Sequence, residues 1–292
     1  MSQFSETDLE TLWSTAQWSY IRKNIGEWRG SFIQFSPEAI WVSETPSVLT
    51  LEEDCPDQHM TLVLERTPQG KPINRMERDL GYPGAAPYIC FFPTGGFSQG
   101  AMQRRPWSSF GSEFSLLADN RRMRLVQLYK GTANGEHILD YVTLIPEYRF
   151  SEGINSTTDS VKDLTCPTVD TVLGTWQGES LELSATMESP QIEHTHWQVK
   201  RLGDEYVLSE NGVSQRFVPI DQFRWQAVDR PLQFWLLPGG VSCTVYPQLP
   251  RQQGARLEFC WYLSPQQRQR IVRDYRSNGD WIGTSLIVET RV

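Results

Sequence analysis

The chain has 292 residues, 12% of them aromatic, and a formal net charge of -8 at pH 7, with both signs of charge spread evenly along it. An acidic balance without a basic half excludes a nucleic-acid surface. No window approaches the ~18 uninterrupted apolar residues of a membrane-spanning helix, so membrane insertion is excluded as well. The length suits two medium domains, because about 100 to 150 residues is the usual size of one hydrophobic core.

Met1 to Glu10 is polar and acidic rather than basic and then apolar, which is not a secretory signal and leads us to expect a cytoplasmic setting. Residues 5–24 read as a helix. Ser5 and Asp8 form its capping box, and Leu9, Leu12, Trp13, Ala16, Tyr20 and Ile21 lie along one side. The helical period then gives way to short strands at 31–35, 48–51, 60–66, 88–93, 112–118, 123–129 and 138–148, separated by Pro and Gly. Residues 151–170, rich in Ser, Thr and Asp, have the composition of a linker. Strands resume from Trp176 to the end, and Asn211-Gly212 and Asn278-Gly279 are dipeptides that favour tight hairpins. The expected organisation is an N-terminal helix with a first β domain over 1–150, a linker over 151–170 and a second β domain over 171–292.

The two β domains are copies. Gly26-Glu27-Trp28-Arg29-Gly30 returns as Gly174-Thr175-Trp176-Gln177-Gly178, and Glu113-Phe114 returns as Glu258-Phe259. Arg124-Leu125-Val126 answers to Arg270-Ile271-Val272, and Glu147-Tyr148-Arg149 to Glu289-Thr290-Arg291, always in the same order. A meander of eight or more antiparallel strands exposes no edge if it closes into a barrel. The fold class read from this pattern is all-β: two tandem antiparallel barrels preceded by a helix.

A Gly-x-Trp on the first strand, a meander, and an Arg on the last strand resemble the lipocalin-like, or calycin, barrels, and both halves carry all three. That resemblance implies that the first-strand Trp closes the barrel base under the last-strand Arg, pairing Trp28 with Arg149 and Trp176 with Arg291. The whole chain resembles a family of tandem calycin-like proteins of unknown function from cyanobacteria and plastids. The second half also resembles the S-type phycobiliprotein lyases, through Arg268-Gln269-Arg270, Gly279, Thr284-Ser285 and Glu289-Thr290-Arg291. The lyase resemblance implies a bilin or other tetrapyrrole as the bound group and a phycobiliprotein subunit as partner.

Arginine outnumbers lysine 22 to 5, and its planar fork suits carboxylates. Arg124, Arg268, Arg270 and Arg276 fall on penultimate strands, and the even spacing of the last three puts them on one face of an extended segment. If that face turns inward they bind a carboxylate-bearing ligand; if outward they are a solvated strand face.

Other motifs carry less. His194-Thr195-His196 supplies two imidazoles without a third ligand, so no metal is expected. Pro93-Thr94-Gly95-Gly96 and Pro238-Gly239-Gly240 read as hairpin turns rather than phosphate loops. Five scattered cysteines without a CxxC spacing argue against a disulfide framework, and no sequence pattern assigns a catalytic residue.

These observations lead to a binding protein that holds a hydrophobic, carboxylate-bearing small molecule, a tetrapyrrole or a lipid, in a barrel lumen. Two other readings stay open: a bilin lyase, and a ligand-free scaffold whose barrels are filled by their own side chains.

Overall fold

The computed structural model describes residues 16–82, 84, 88–151, 164–186 and 190–292. A short helix α1 (Ala16–Arg22) leads into nine strands: β1 (Gly26–Phe35), β2 (Trp41–Cys55), β3 (His59–Arg66), β4 (Asn74–Gly81), β5 (Ile89–Phe91), β6 (Phe97–Gly100), β7 (Phe110–Ala118), β8 (Arg121–Gly131) and β9 (His137–Arg149). The part of the expected helix that includes Ser5, Asp8, Leu9, Leu12 and Trp13 lies outside the described residues. After α2 (Val169–Val172), the second half runs through β10 (Gly174–Ser184), β11 (Gln191–Leu202), β12 (Glu205–Glu210), β13 (Val213–Pro219), β14 (Arg224–Ala227) and β15 (Gln233–Leu237). It ends with β16 (Val241–Val245), the two-residue β17 (Gln248–Leu249), β18 (Ala255–Ser264), β19 (Gln267–Tyr275) and β20 (Trp281–Arg291).

The second half is a closed ten-stranded barrel, β10 to β16 followed by β18 to β20. The first half is not closed. Its strands run β4-β3-β2-β1-β9-β8-β7-β6-β5 in a curled sheet, and β17 joins it by pairing with β9. Register shows what is missing. β3 and β4 correspond to β12 and β13, and β5 and β6 correspond to β15 and β16, so among the described residues β14 has no counterpart.

Helix α1 stands where that tenth strand would be. In the barrel, the backbone N–H of Leu236 donates to Phe223 O just before β14. At the matching edge of β5, the Gln17 side chain donates to Phe91 O and accepts from Phe91 N. On its other side the helix is tied to the end of β2: Trp18 Nε1 and Arg22 both donate to Glu53. Trp18, Tyr20 and Ile21 are buried, so the helix covers the base of the curled sheet.

The repeated Gly-x-Trp-x-Gly has a backbone explanation. Gly26 and Gly174 adopt φ of +120° and +117°, a region closed to side chains with a Cβ. At Gly30 and Gly178 a Cβ would lie 2.0 Å from Pro146 O and 1.9 Å from Val288 O, so only glycine lets the last strand cross there.

The halves pack convex face to convex face. Phe114 on β7 meets Phe259 on β18 at 6.4 Å between ring centres, and Gln127 Nε2 donates to Thr244 O at 2.9 Å. The buried Arg273 donates to Gly100 O and Ala101 O of the other half.

Candidate functional site

Both halves carry the same buried charge cluster. In the first half, Glu147 accepts from Arg122 Nε at 2.6 Å and from Arg124 Nε and Nη2, both at 2.9 Å, while Glu113 accepts from Arg124 Nη1 at 2.7 Å. In the second half, Glu289 takes the place of Glu147, Arg268 that of Arg122, and Arg270 that of Arg124. Glu289 accepts from Arg268 Nε at 2.7 Å and from Arg270 Nε at 3.0 Å, and Glu258 lies 3.2 Å from Arg270 Nη1. Alternation on β8 and β19 brings each arginine pair to the concave face, and the glutamate on the neighbouring last strand pairs with them in register.

These groups are buried, and pairing decides their charge. Burial alone would raise Glu147; the arginines Arg122 and Arg124 outweigh it and hold the carboxyl below its ordinary value. Burial lowers Arg122, whereas at Arg124 the carboxylates of Glu147 and Glu113 prevail and the pKa rises.

The expected closing pairs have this geometry: the guanidinium carbon of Arg149 lies 4.5 Å from the Trp28 ring centre, and that of Arg291 lies 4.7 Å from Trp176. Each of these arginines also donates to backbone carbonyls at the end of the helix that precedes the first strand, Arg149 to Lys23 O and Ile25 O, Arg291 to Thr171 O. A second arginine stacks on each indole, Arg122 on Trp28 at 4.4 Å and Arg268 on Trp176 at 4.5 Å. The sequence reading did not assign Arg122, although its spacing of two from Arg124 puts both on one face.

The four arginines expected to bind a ligand separate in space. Arg268 and Arg270 point into the barrel but are consumed there: Arg268 lies 3.8 Å over Trp197, and Arg270 is shared among Glu289, Glu258 and Glu210. Arg276 is a correction. Strand β19 ends at Tyr275, and Arg276 is exposed in the turn that follows. Even spacing cannot be carried past the end of a strand. Arg124 lines an open cavity.

That cavity, about 270 Å³, occupies the concave face of the first half. Leu49, Leu51, Leu62, Leu64, Phe91 and Phe97 form its walls, and Arg122, Arg124 and Glu113 lie at one side. Arg78 and Met76 reach it from the free edge strand β4, and Arg78 makes no ion pair with any described residue. A neighbouring depression of about 460 Å³ shares Gln99, Glu113 and Val126 with it and extends to Tyr88 and Met102.

The second barrel is filled at the equivalent positions. Leu49 pairs with Trp28 as Trp197 pairs with Trp176. By the same register Met60 answers to Tyr206, Leu80 to Phe217 and Ile89 to Phe234. Trp225, on the strand without a counterpart among the described residues of the first half, stacks between Tyr206 at 4.2 Å and Phe234 at 5.0 Å. Phe32 against Ser180, Phe91 against Leu236 and Phe97 against Ser242 run the other way, so the open volume of the first half follows chiefly from Trp225 and its strand having no counterpart among the described residues.

The remaining candidates are inert or exposed. Burial pushes the thiols of Cys90 and Cys260 up, to about 11 and about 12, so neither supplies a thiolate at neutral pH. His194 and His196 are exposed on the outer face of β11. No described helix is long and apolar enough to cross a membrane.

Residues 14–152 match a domain of unknown function, DUF3598, N-terminal, and residues 164–292 match the C-terminal domain of biogenesis factor required for ATP synthase 1. A crystal structure of a DUF3598-family protein of unknown function from Nostoc punctiforme is 30% identical, covering 94% of this chain and 99% of its own, with a TM-score of 0.81. An S-type phycobiliprotein lyase from Guillardia theta aligns over 99% of this chain and 98% of its own at 10% identity, with a TM-score of 0.19, too low to carry an argument. No curated protein matches the chain.

Proposed function

This chain belongs to the DUF3598 family, and from the difference between its two halves we propose that it is a small-molecule binding protein whose ligand enters the first half alone. The ligand is hydrophobic and carries an acidic group. One observation carries this reading: the same sheet, with the same Glu-Arg-Arg cluster, is filled by aromatic side chains in the second half and left as an apolar cavity in the first. Apolar walls with a few convergent polar groups are the usual anatomy of a ligand site, and an arginine is suited to an acid.

In this reading the second half is the scaffold. Its filled interior makes it a rigid support for the convex face of the first sheet, through Phe259, Thr244 and Arg273. The arginines on which the lyase resemblance rested are enclosed and ion-paired, which favours binding over chromophore transfer.

The test is a panel of fatty acids, bilins, porphyrins and carotenoids, followed by absorbance and tryptophan fluorescence. We expect a ligand that binds at one equivalent per chain and is lost in Leu49→Trp, which copies the filling residue of the second half. A panel without any binder, or a binder indifferent to Leu49→Trp, overturns the proposal.

A further inference from the structure

The second barrel carries at its arginine cluster a carboxylate, Glu210, whose position in the first half is apolar. Glu210 pairs across the ladder with Trp197, and its Oε1 accepts from Arg270 Nη2 at 2.7 Å. Arg270 Nη2 thus serves two carboxylates, because it also donates to Glu289 at 3.2 Å. In the first half the position of Glu210 is held by Leu64, which pairs with Leu49. Arg124 Nη2 donates to Glu147, and among the described residues it has no second carboxylate like the one at Arg270.

The charges around the two clusters differ accordingly. In the barrel Arg256, Arg268 and Arg270 meet Glu210, Glu258 and Glu289, with Asp274 further out on Arg256. Around the first cavity Arg122 and Arg124 meet Glu113 and Glu147, and Arg78 reaches it without an ion pair among the described residues. The first half is one carboxylate short, and the shortfall lies beside an apolar wall.

Resting on the binding reading above, we infer that the ligand is a slender monocarboxylate whose carboxylate takes the place of Glu210, accepting from Arg124 Nη2 with Arg78 as its second cation. Its chain runs along Leu62, Leu64 and Phe97 and leaves over Gln99 and Val126 toward Tyr88 and Met102. The acid end is the narrow part: the cavity of about 270 Å³ beside the arginines lies below the roughly 300–1,000 Å³ of sites for drug-sized molecules, which suits a single chain that continues into the adjoining depression.

The experiment is calorimetric titration of the full chain with decanoate, decan-1-ol and biliverdin, on the wild type and on Leu64→Glu, Leu64→Gln and Leu49→Trp. Leu64→Glu supplies internally the carboxylate that the barrel already tolerates, and Leu64→Gln is its uncharged match in shape. We expect decanoate to bind at one equivalent and decan-1-ol roughly tenfold or more weakly, since a charge-assisted hydrogen bond separates them. Leu64→Glu loses decanoate while Leu64→Gln keeps most of its affinity, and Leu49→Trp loses both acid and alcohol. Equal affinity for acid and alcohol, or undiminished decanoate binding by Leu64→Glu, overturns the inference. Biliverdin binding that Leu49→Trp abolishes, without decanoate binding, overturns the inference and leaves the binding reading standing. Failure of all three together with the wider panel overturns both.

Discussion

The guanidinium carbon of Arg268 lies 3.8 Å above the ring centre of Trp197, and the position of that indole in the first half belongs to Leu49. A buried aromatic on a paired arginine both fills the barrel and compensates for the desolvated charge. Trp197→Leu is therefore expected to lower stability by about 3 kcal/mol in urea unfolding. It is also expected to add a second equivalent of an apolar environment-sensitive dye. Unchanged stability and dye stoichiometry would show that the interior is filled without the indole.

Among the described residues Glu147 is the sole carboxylate partner of Arg122 and one of two for Arg124. Removing one member of a buried ion pair strands the other charge, so Glu147→Gln is expected to cost about 3 to 5 kcal/mol at pH 7. The pH dependence has a fixed sign. Because the folded pKa is depressed, the contribution is complete above the unfolded value of about 4.3 and disappears as pH falls through the folded one. Chemical denaturation from pH 7 to pH 2 should show that acid slope in the wild type and a shallower one in the variant.

Asp274 behaves in the opposite way. Burial, together with Glu182, Glu210 and Glu258, pushes its carboxyl up to about 6 against the pull of Arg256. A raised folded pKa means that the folded state holds the proton more tightly. Stability from this group is complete below the unfolded value of about 3.9 and declines as pH rises through about 6. Asp274→Asn is expected to gain about 1 kcal/mol over the wild type at pH 8 and nothing at pH 4. An equal shift in melting temperature at both pH values would contradict the assignment.

Helix α1 is held to β2 by Glu53, whose carboxyl is lowered to about 2 chiefly by its hydrogen bonds from Arg22. Glu53→Gln should loosen the helix without touching the second barrel. Hydrogen exchange is expected to quicken over 16–22 and at Phe91, whose amide donates to Gln17, while protection in β18 to β20 stays unchanged. Uniform loss of protection would mean that the helix is part of one cooperative core.

Much of this protein is readable in the chain itself. The duplication, the strand-rich halves and the Gly-x-Trp-x-Gly motif follow from backbone demands at Gly26, Gly30, Gly174 and Gly178, which act locally and leave their mark at fixed positions. Arg268, Arg270 and Arg124 were legible by alternation, Arg122 was not assigned, and the reading failed at Arg276 because spacing does not show that β19 ends at Tyr275. Strand β4 escaped notice because Asn74–Gly81 is an edge with mostly exposed side chains, and its inward Met76, Arg78 and Leu80 show no apolar run. What the sequence could not decide is which half is hollow. That depends on Trp225 having no partner copy among the described residues, on α1 taking the place of a strand, and on Leu64 standing beside Arg124 where Glu210 meets Arg270 in the barrel. These are relations across the sheet between residues far apart in the chain, and packing against distant neighbours, not local pattern, sets the volume they enclose.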